Sequence, residues 1–196
     1  ISFDLFIEKA LKAQKRSYIH LAAESLGKVL AYLHTSRQED KGYFPTLRLE
    51  NICSQIEEDI LRIENYDEEI CDTTKIKEML PSLVKEVKIT RDYLSFHLHN
   101  VSLENIFFDK KTQAFSFFDV SPLHTSVDTS GSPYGFAARD IIHFEESLAF
   151  FCAEHSLSPL FPKIRKAFHS SYCSIAKKLP SQPLRRLFKL AMVLWK

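Results

Sequence analysis

At 196 residues, with 45% hydrophobic and 26% charged, the chain reads as one globular domain able to bury its own core; disorder and a collagen-like fibre are excluded. The net charge is +1, from 26 basic and 25 acidic residues, which excludes a nucleic-acid binder by global electrostatics. Glycine is scarce: Gly27, Gly42, Gly131 and Gly135 are all there are, no two complete a G-x-G-x-x-G, and none opens a G-x-x-x-x-G-K-[ST], so no glycine-rich phosphate loop is present.

Residues 1–14 are weakly amphipathic and carry little signal. Ile19, Ala22, Ala23, Leu26, Val29, Leu30 and Leu33 then recur at helical spacing, with Ser17 as the predicted N-cap and an end near Thr35. A polar stretch from Arg37 to Pro45 predicts a loop. Leu49, Ile52, Cys53, Ile56, Ile60 and Ile63 mark a second helix with Glu57, Glu58 and Asp59 on its outside. An acidic turn follows over Asp67–Asp72. Ile76, Met79, Leu80, Leu83, Val84 and Val87 mark a third helix, where Pro81 predicts a kink or a break into two.

The pattern then changes. Phe96 and Leu98 alternate with His97 and His99. Two aromatic runs, Ile106–Phe108 and Phe115–Phe118, flank the polar Asp109–Gln113 and predict a β-hairpin. Val120–Gly135 reads as a long loop, a length that in compact domains goes with function. Three amphipathic helices close the chain, lined by Ile141, Phe144, Leu148 and Phe151; by Leu160, Ile164, Phe168, Tyr172 and Ile175; and by Leu184, Leu187, Phe188, Leu194 and Trp195, the last with Arg185, Arg186 and Lys189 on its other face.

Charge is distributed unevenly. Eleven acids face four bases between Glu50 and Glu86, while no acid follows Glu154 and nine Lys and Arg do. These are either complementary solvated faces or docking surfaces, in which case a protein partner would use the acidic 50–86 region or the basic C-terminal helices. Cys53, Cys71, Cys152 and Cys173 lack C-x-x-C spacing and read as reduced, mostly buried thiols of a cytoplasmic protein. No apolar run reaches the ~18 residues of a spanning helix, and no signal peptide is visible. The first residue is Ile1, not Met, which reads as a processed chain or part of a longer one.

The chemistry-bearing residues gather around the hairpin. An Asn before one strand (Asn105) and a carboxylate after its partner (Asp119) fall at the same end, where their oxygens suit Mg²⁺ and leave positions for water and phosphate; the alternative is an Asx turn at each strand end. His97 and His99 form an H-x-H spacing but lack a third ligand at a supporting interval, so ordinary packing is expected of them. Ser121, His124 and Asp128 are close in sequence without a G-x-S-x-G elbow and are not read as a catalytic set.

Here the chain resembles a family. Leu98–Ile106 is similar to the catalytic loop of aminoglycoside- and choline-type phosphotransferases, which have the protein-kinase-like fold and the pattern H-G-D-x-H-x-x-N-[IVL], then strand, turn, strand and Asp. Asn105-Ile106-Phe107-Phe108-Asp109 fits the first strand, and Phe115-Ser116-Phe117-Phe118-Asp119 the second with its metal-binding Asp. Ser25–His34 looks like the helix after the family's hinge, and Gly131-Ser132-Pro133-Tyr134 leading into Ala138-Arg139-Asp140-Ile141 is similar to its G-x-P-x-x-D-[IL] step. The roughly sixty residues between that helix and the loop favour the small-molecule branch over protein kinases. The resemblance covers roughly residues 20–195.

By this resemblance the fold is α+β and mostly α: a kinase-like C-terminal lobe of helices around a small β-hairpin. It implies one unit over 1–196, with a lead-in over 1–18, a helical insert over 38–93, a catalytic-loop-like region over 94–135 and C-terminal helices over 136–196. It implies that Asn105 and Asp119 bind metal and the phosphates of ATP with Mg, and that Asp140 is structural, capping its helix or bracing the loop. Asn100 falls five residues before Asn105, where the family has its catalytic Asp, and an amide cannot take a proton as a carboxylate does. Leu98, His99 and Ser102 also depart from the family's His, Gly and second His. The glycine-covered phosphate loop and strand Lys of the family's N-terminal lobe have no place before residue 20. The expected function is a degenerate, pseudokinase-like domain with a binding or regulatory role. The alternatives are an active Mg·ATP-dependent small-molecule phosphotransferase whose N-lobe lies outside this chain, and a helical adaptor working through its charged faces.

Overall fold

A computed structural model describes residues 1–36, 45–65, 72–87, 94–96, 98, 100–118 and 134–195. The elements are α1 (Phe3–Lys12), α2 (Arg16–Thr35), α3 (Pro45–Asn65), α4 (Thr73–Glu86), β1 (Leu94–Phe96), a 3₁₀ turn (Leu103–Asn105), β2 (Ile106–Asp109), β3 (Ala114–Phe117), β4 (Tyr134–Phe136), α5 (Ala137–Glu154), α6 (Phe161–Ala176) and α7 (Gln182–Trp195). The architecture is the expected one: mostly helical, with a small antiparallel hairpin. Among the described residues no helix is long and apolar enough to cross a membrane.

Two apolar clusters share the helix α5. The first joins α1, α2, the hairpin and α6, with Phe3, Ile7, Leu26, Leu30, Ile106, Phe144 and Phe168 fully buried. The second joins α3, α4 and α7 through Ile56, Ile60, Leu80, Leu184 and Leu187. Helix α5 contributes Ile141, Phe144 and Leu148 to the first and Ala138 and Ile142 to the second, residues that alternate around its circumference. The helices of the 38–93 region are therefore held by the last helix of the chain.

Several local expectations change. The weak opening pattern is a core helix: α1 buries Phe3, Phe6, Ile7 and Ala10, because four apolar residues on one face suffice when aromatic rings fill the space. Helix α2 ends at Thr35 as expected but begins at Arg16 after Lys15, so Ser17 lies inside the first turn and caps nothing. Pro45 belongs to α3, where a fixed φ and missing N–H are harmless at a first position. Asp59 is not on the outside: it is 2% exposed and held by Arg62 at 2.6 Å. Pro81 lies within one helix rather than dividing it, with Leu80 and Leu83 buried on either side to offset the lost backbone bond. The Arg37–Phe44 loop, most of the Asp67–Asp72 turn, His97, His99 and residues 119–133 lie outside the described residues.

The hairpin pairs Ile106 with Phe117 and Asp109 with Ala114. Asp109 closes its turn by accepting from the Lys111 amide at 2.9 Å and the Thr112 hydroxyl at 2.7 Å, which holds its carboxyl below the usual range. Gln113 takes the left-handed φ of 54° that the tight turn needs. The end of the expected long loop is a strand: β4 runs antiparallel to β1, Leu94 opposite Phe136. Residues 1–2 lie along the other side of β2, where the Phe108 amide donates to the Ile1 carbonyl at 2.9 Å.

Candidate functional site

The loop that enters the hairpin is fixed from below. Val101 and Leu103 are buried in the first cluster and anchor it. The backbone amide of Leu98 donates to Asp140 Oδ2 at 2.7 Å. The same oxygen meets His34 Nε2 at 3.1 Å, and His34 Nδ1 lies 3.0 Å from the Tyr172 hydroxyl. Asp140 is fully buried in the first turn of α5, where the helix dipole favours a carboxylate. The network closes when Tyr172 donates to Nδ1 and the Nε2–H donates to Asp140. Burial, then the charges of Asp140 and Cys173, push the Tyr172 hydroxyl well above the ordinary tyrosine range, so it stays a donor. Burial pulls Arg139 down to about 10, opposed by Asp140, and it remains a cation at neutral pH.

Asp140 was expected to cap or brace; it braces, tying α5 to the loop two residues before Asn100. His34 and Tyr172 were not singled out as polar partners. The signal for His34 was present: Leu26 and Leu30 are buried at four-residue spacing, and His34 continues the same stripe into the core.

The Asn100 backbone amide donates to the Leu98 carbonyl at 2.9 Å in a tight turn, and the residue is half-buried. Ser102 is buried, and its Oγ has no hydrogen-bond partner. The 3₁₀ turn ends at Asn105, whose amide donates to Ser102 O at 3.1 Å and whose carbonyl accepts from Phe118 at 2.8 Å. Asn105 thus sits at the open end of the hairpin, one bond from where β3 leaves it. Asp119, the next residue along the chain, lies outside the described residues, as do Ser121, His124 and Asp128. The rings of Phe107 and Phe118 meet at 4.5 Å beside this end, and Phe118 is 56% exposed.

Of the two oxygen ligands expected at this end, Asn105 is the one the structure describes. Among the described residues no group of three or more His, Cys, Asp or Glu could hold a metal. Burial pushes the thiols of Cys53 and Cys152 up, Cys53 further through Glu57 and Glu50, so neither is an activated nucleophile.

No family model matches the chain, and no curated protein matches it. Among solved structures, an aminoglycoside-3'-phosphotransferase of type VIII superposes with a TM-score of 0.60 and 18% identity over 91% of this chain and 62% of that chain. At that identity the likeness is one of fold: the chain has the kinase-like fold of that structure and spans about 62% of its length.

Proposed function

We propose that this chain is the C-terminal lobe of a kinase-like phosphotransferase fold whose transfer chemistry is degenerate, and that it works as a binding or regulatory domain. The whole chain acts as one unit, with the 38–93 helices as an insert. The observation that supports this reading is Asn100. It lies in a loop tied through Leu98 to the buried Asp140, five residues before Asn105, and it is an amide where a phosphotransferase of this pattern needs a carboxylate. A brace without a base is what remains when a fold is kept and its reaction is lost.

The backbone bond from Phe118 to Asn105 favours a second reading, in which the hairpin end still takes Mg·ATP. Asn105 and Asp119 would hold the metal, which when bound neutralises phosphate charge. The exposed Phe118 ring, backed by Phe107, offers a stacking surface for a base. Asn100 would then position an acceptor hydroxyl, since loose phosphoryl transfer leans on positioning more than on a strong base.

Thermal melting with and without Mg·ATP, paired with a γ-phosphate release assay, separates the readings. A rise in melting temperature lost in Asp119→Ala and Asn105→Ala, with no phosphate release, is a degenerate lobe that retains its nucleotide. A rise with release that Asp119→Ala abolishes establishes the second reading and overturns the first. Neither rise nor release leaves a binding role that does not depend on nucleotide.

A further inference from the structure

Away from the hairpin, an open cleft of about 530 Å³ runs along α6, lined by Pro162, Arg165, Lys166 and His169 of that helix, with Leu179 and, from α7, Arg185 beside them. That volume is within the usual range for small-ligand pockets. Its charge is one-sided. The carboxylate facing it is Glu145 of α5, nearly buried, and Glu145 already serves both Arg165, at 3.0 Å, and His169. The neighbouring Glu146 is taken by Lys189 at 2.9 Å. No acid occurs anywhere after Glu154, so neither α6 nor α7 can neutralise its own cations.

Arg185 is the telling side chain. Its Nε is buried and has no hydrogen-bond partner, although the residue lines the cleft. A guanidinium donor buried without an acceptor is costly and calls for one. Arg186, one position on, is exposed and forms no part of the cleft lining. Pro162 and Leu179 add apolar surface to the same lining.

We infer that the α6–α7 cleft binds a small phosphate-bearing ligand. The phosphoryl oxygens accept from Arg185 and Lys166, and the ligand's organic body lies on Pro162 and Leu179. An arginine fork suits a phosphate's paired oxygens, and the apolar surface favours a phosphate ester over the bare anion. A phosphate ester in solution and a lipid headgroup offer the same recognition chemistry.

The test is calorimetric titration of the intact protein with phenyl phosphate and with inorganic phosphate, alongside flotation with phosphatidylcholine vesicles with and without phosphatidic acid. The inference expects saturable one-to-one binding of phenyl phosphate, tighter than inorganic phosphate. It expects a loss of roughly ten-fold or more in Arg185→Gln, the scale of one charge-assisted hydrogen bond, and a change within about two-fold in Arg186→Gln. Should Arg185→Gln not fold, Arg185→Lys and the exposed Lys166→Gln carry the comparison. Vesicle binding that needs phosphatidic acid and Arg185 identifies the headgroup as the source; phenyl phosphate binding without it identifies a free ester. No saturable binding to either probe, or equal losses in Arg185→Gln and Arg186→Gln, overturns the inference.

Discussion

Asp140 concentrates the structural logic of the loop in one carboxylate. Its Oδ2 receives both a backbone amide from the loop and the ring of His34, at a side chain fully shielded from solvent. Asp140→Ala should destabilise by about 3–5 kcal/mol in denaturant unfolding, since it strands two buried partners. Tyr172 should show in alkali. Below about pH 10 its hydroxyl is protonated folded and unfolded; above that, the unfolded tyrosine ionises while the native one does not. Stability should therefore fall as pH rises past about 10, and Tyr172→Phe should flatten that limb. Ser102 is the opposite case, a buried hydroxyl with nothing to bond. Replacing it by Ala removes an uncompensated polar group and should be neutral or stabilising by up to about 1 kcal/mol. Of these residues only Asp140 was assigned its role from sequence. His34 and Tyr172 are 138 positions apart, and a contact of that range leaves no trace in local spacing.

Among elements, the long helices were legible because a period of 3.6 extends over many residues, and the hairpin because two aromatic runs flank a polar turn. Helix α1 was not, because ten residues give too short a pattern to stand out. Strand β4 was hidden because three residues at the end of a Ser- and Pro-rich stretch carry no alternation; its pairing with β1 supplies the order instead. The closest helix contact is α2 against α6, and it turns on Gly27. A Cβ there would come within 2.4 Å of the Phe168 carbonyl oxygen, backbone that cannot step aside without moving α6. Gly27→Ala should cost about 1–3 kcal/mol by forcing the helices apart, read as a lower denaturation midpoint with the slope unchanged. The sequence resemblance put a glycine at this point in the fold; the packing gives the reason.

At the scale of the molecule, acid and base are sorted onto different helices. Among the described residues, α3 carries five acids against two bases, while α6 and α7 carry Lys and Arg with no acid, and α3 packs on the basic α7. The asymmetry visible in sequence is thus not cancelled within the cleft between α6 and α7. The fold was legible because loop, hairpin and following helix occur in the right order and spacing. The hairpin-end site was legible only as residue types, Asn105 and Asp119, whose joint geometry depends on a segment of the chain outside the described residues. The central claim, that Asn100 marks a fold kept after its chemistry was lost, is tested most directly by γ-phosphate release from Mg·ATP. The natural full-length protein and its Asn100→Asp variant would be assayed side by side against a panel of hydroxyl acceptors. The account predicts no acceptor-dependent release by the natural protein, with any gain confined to Asn100→Asp. Acceptor-dependent release by the natural protein that Asp119→Ala abolishes would contradict it.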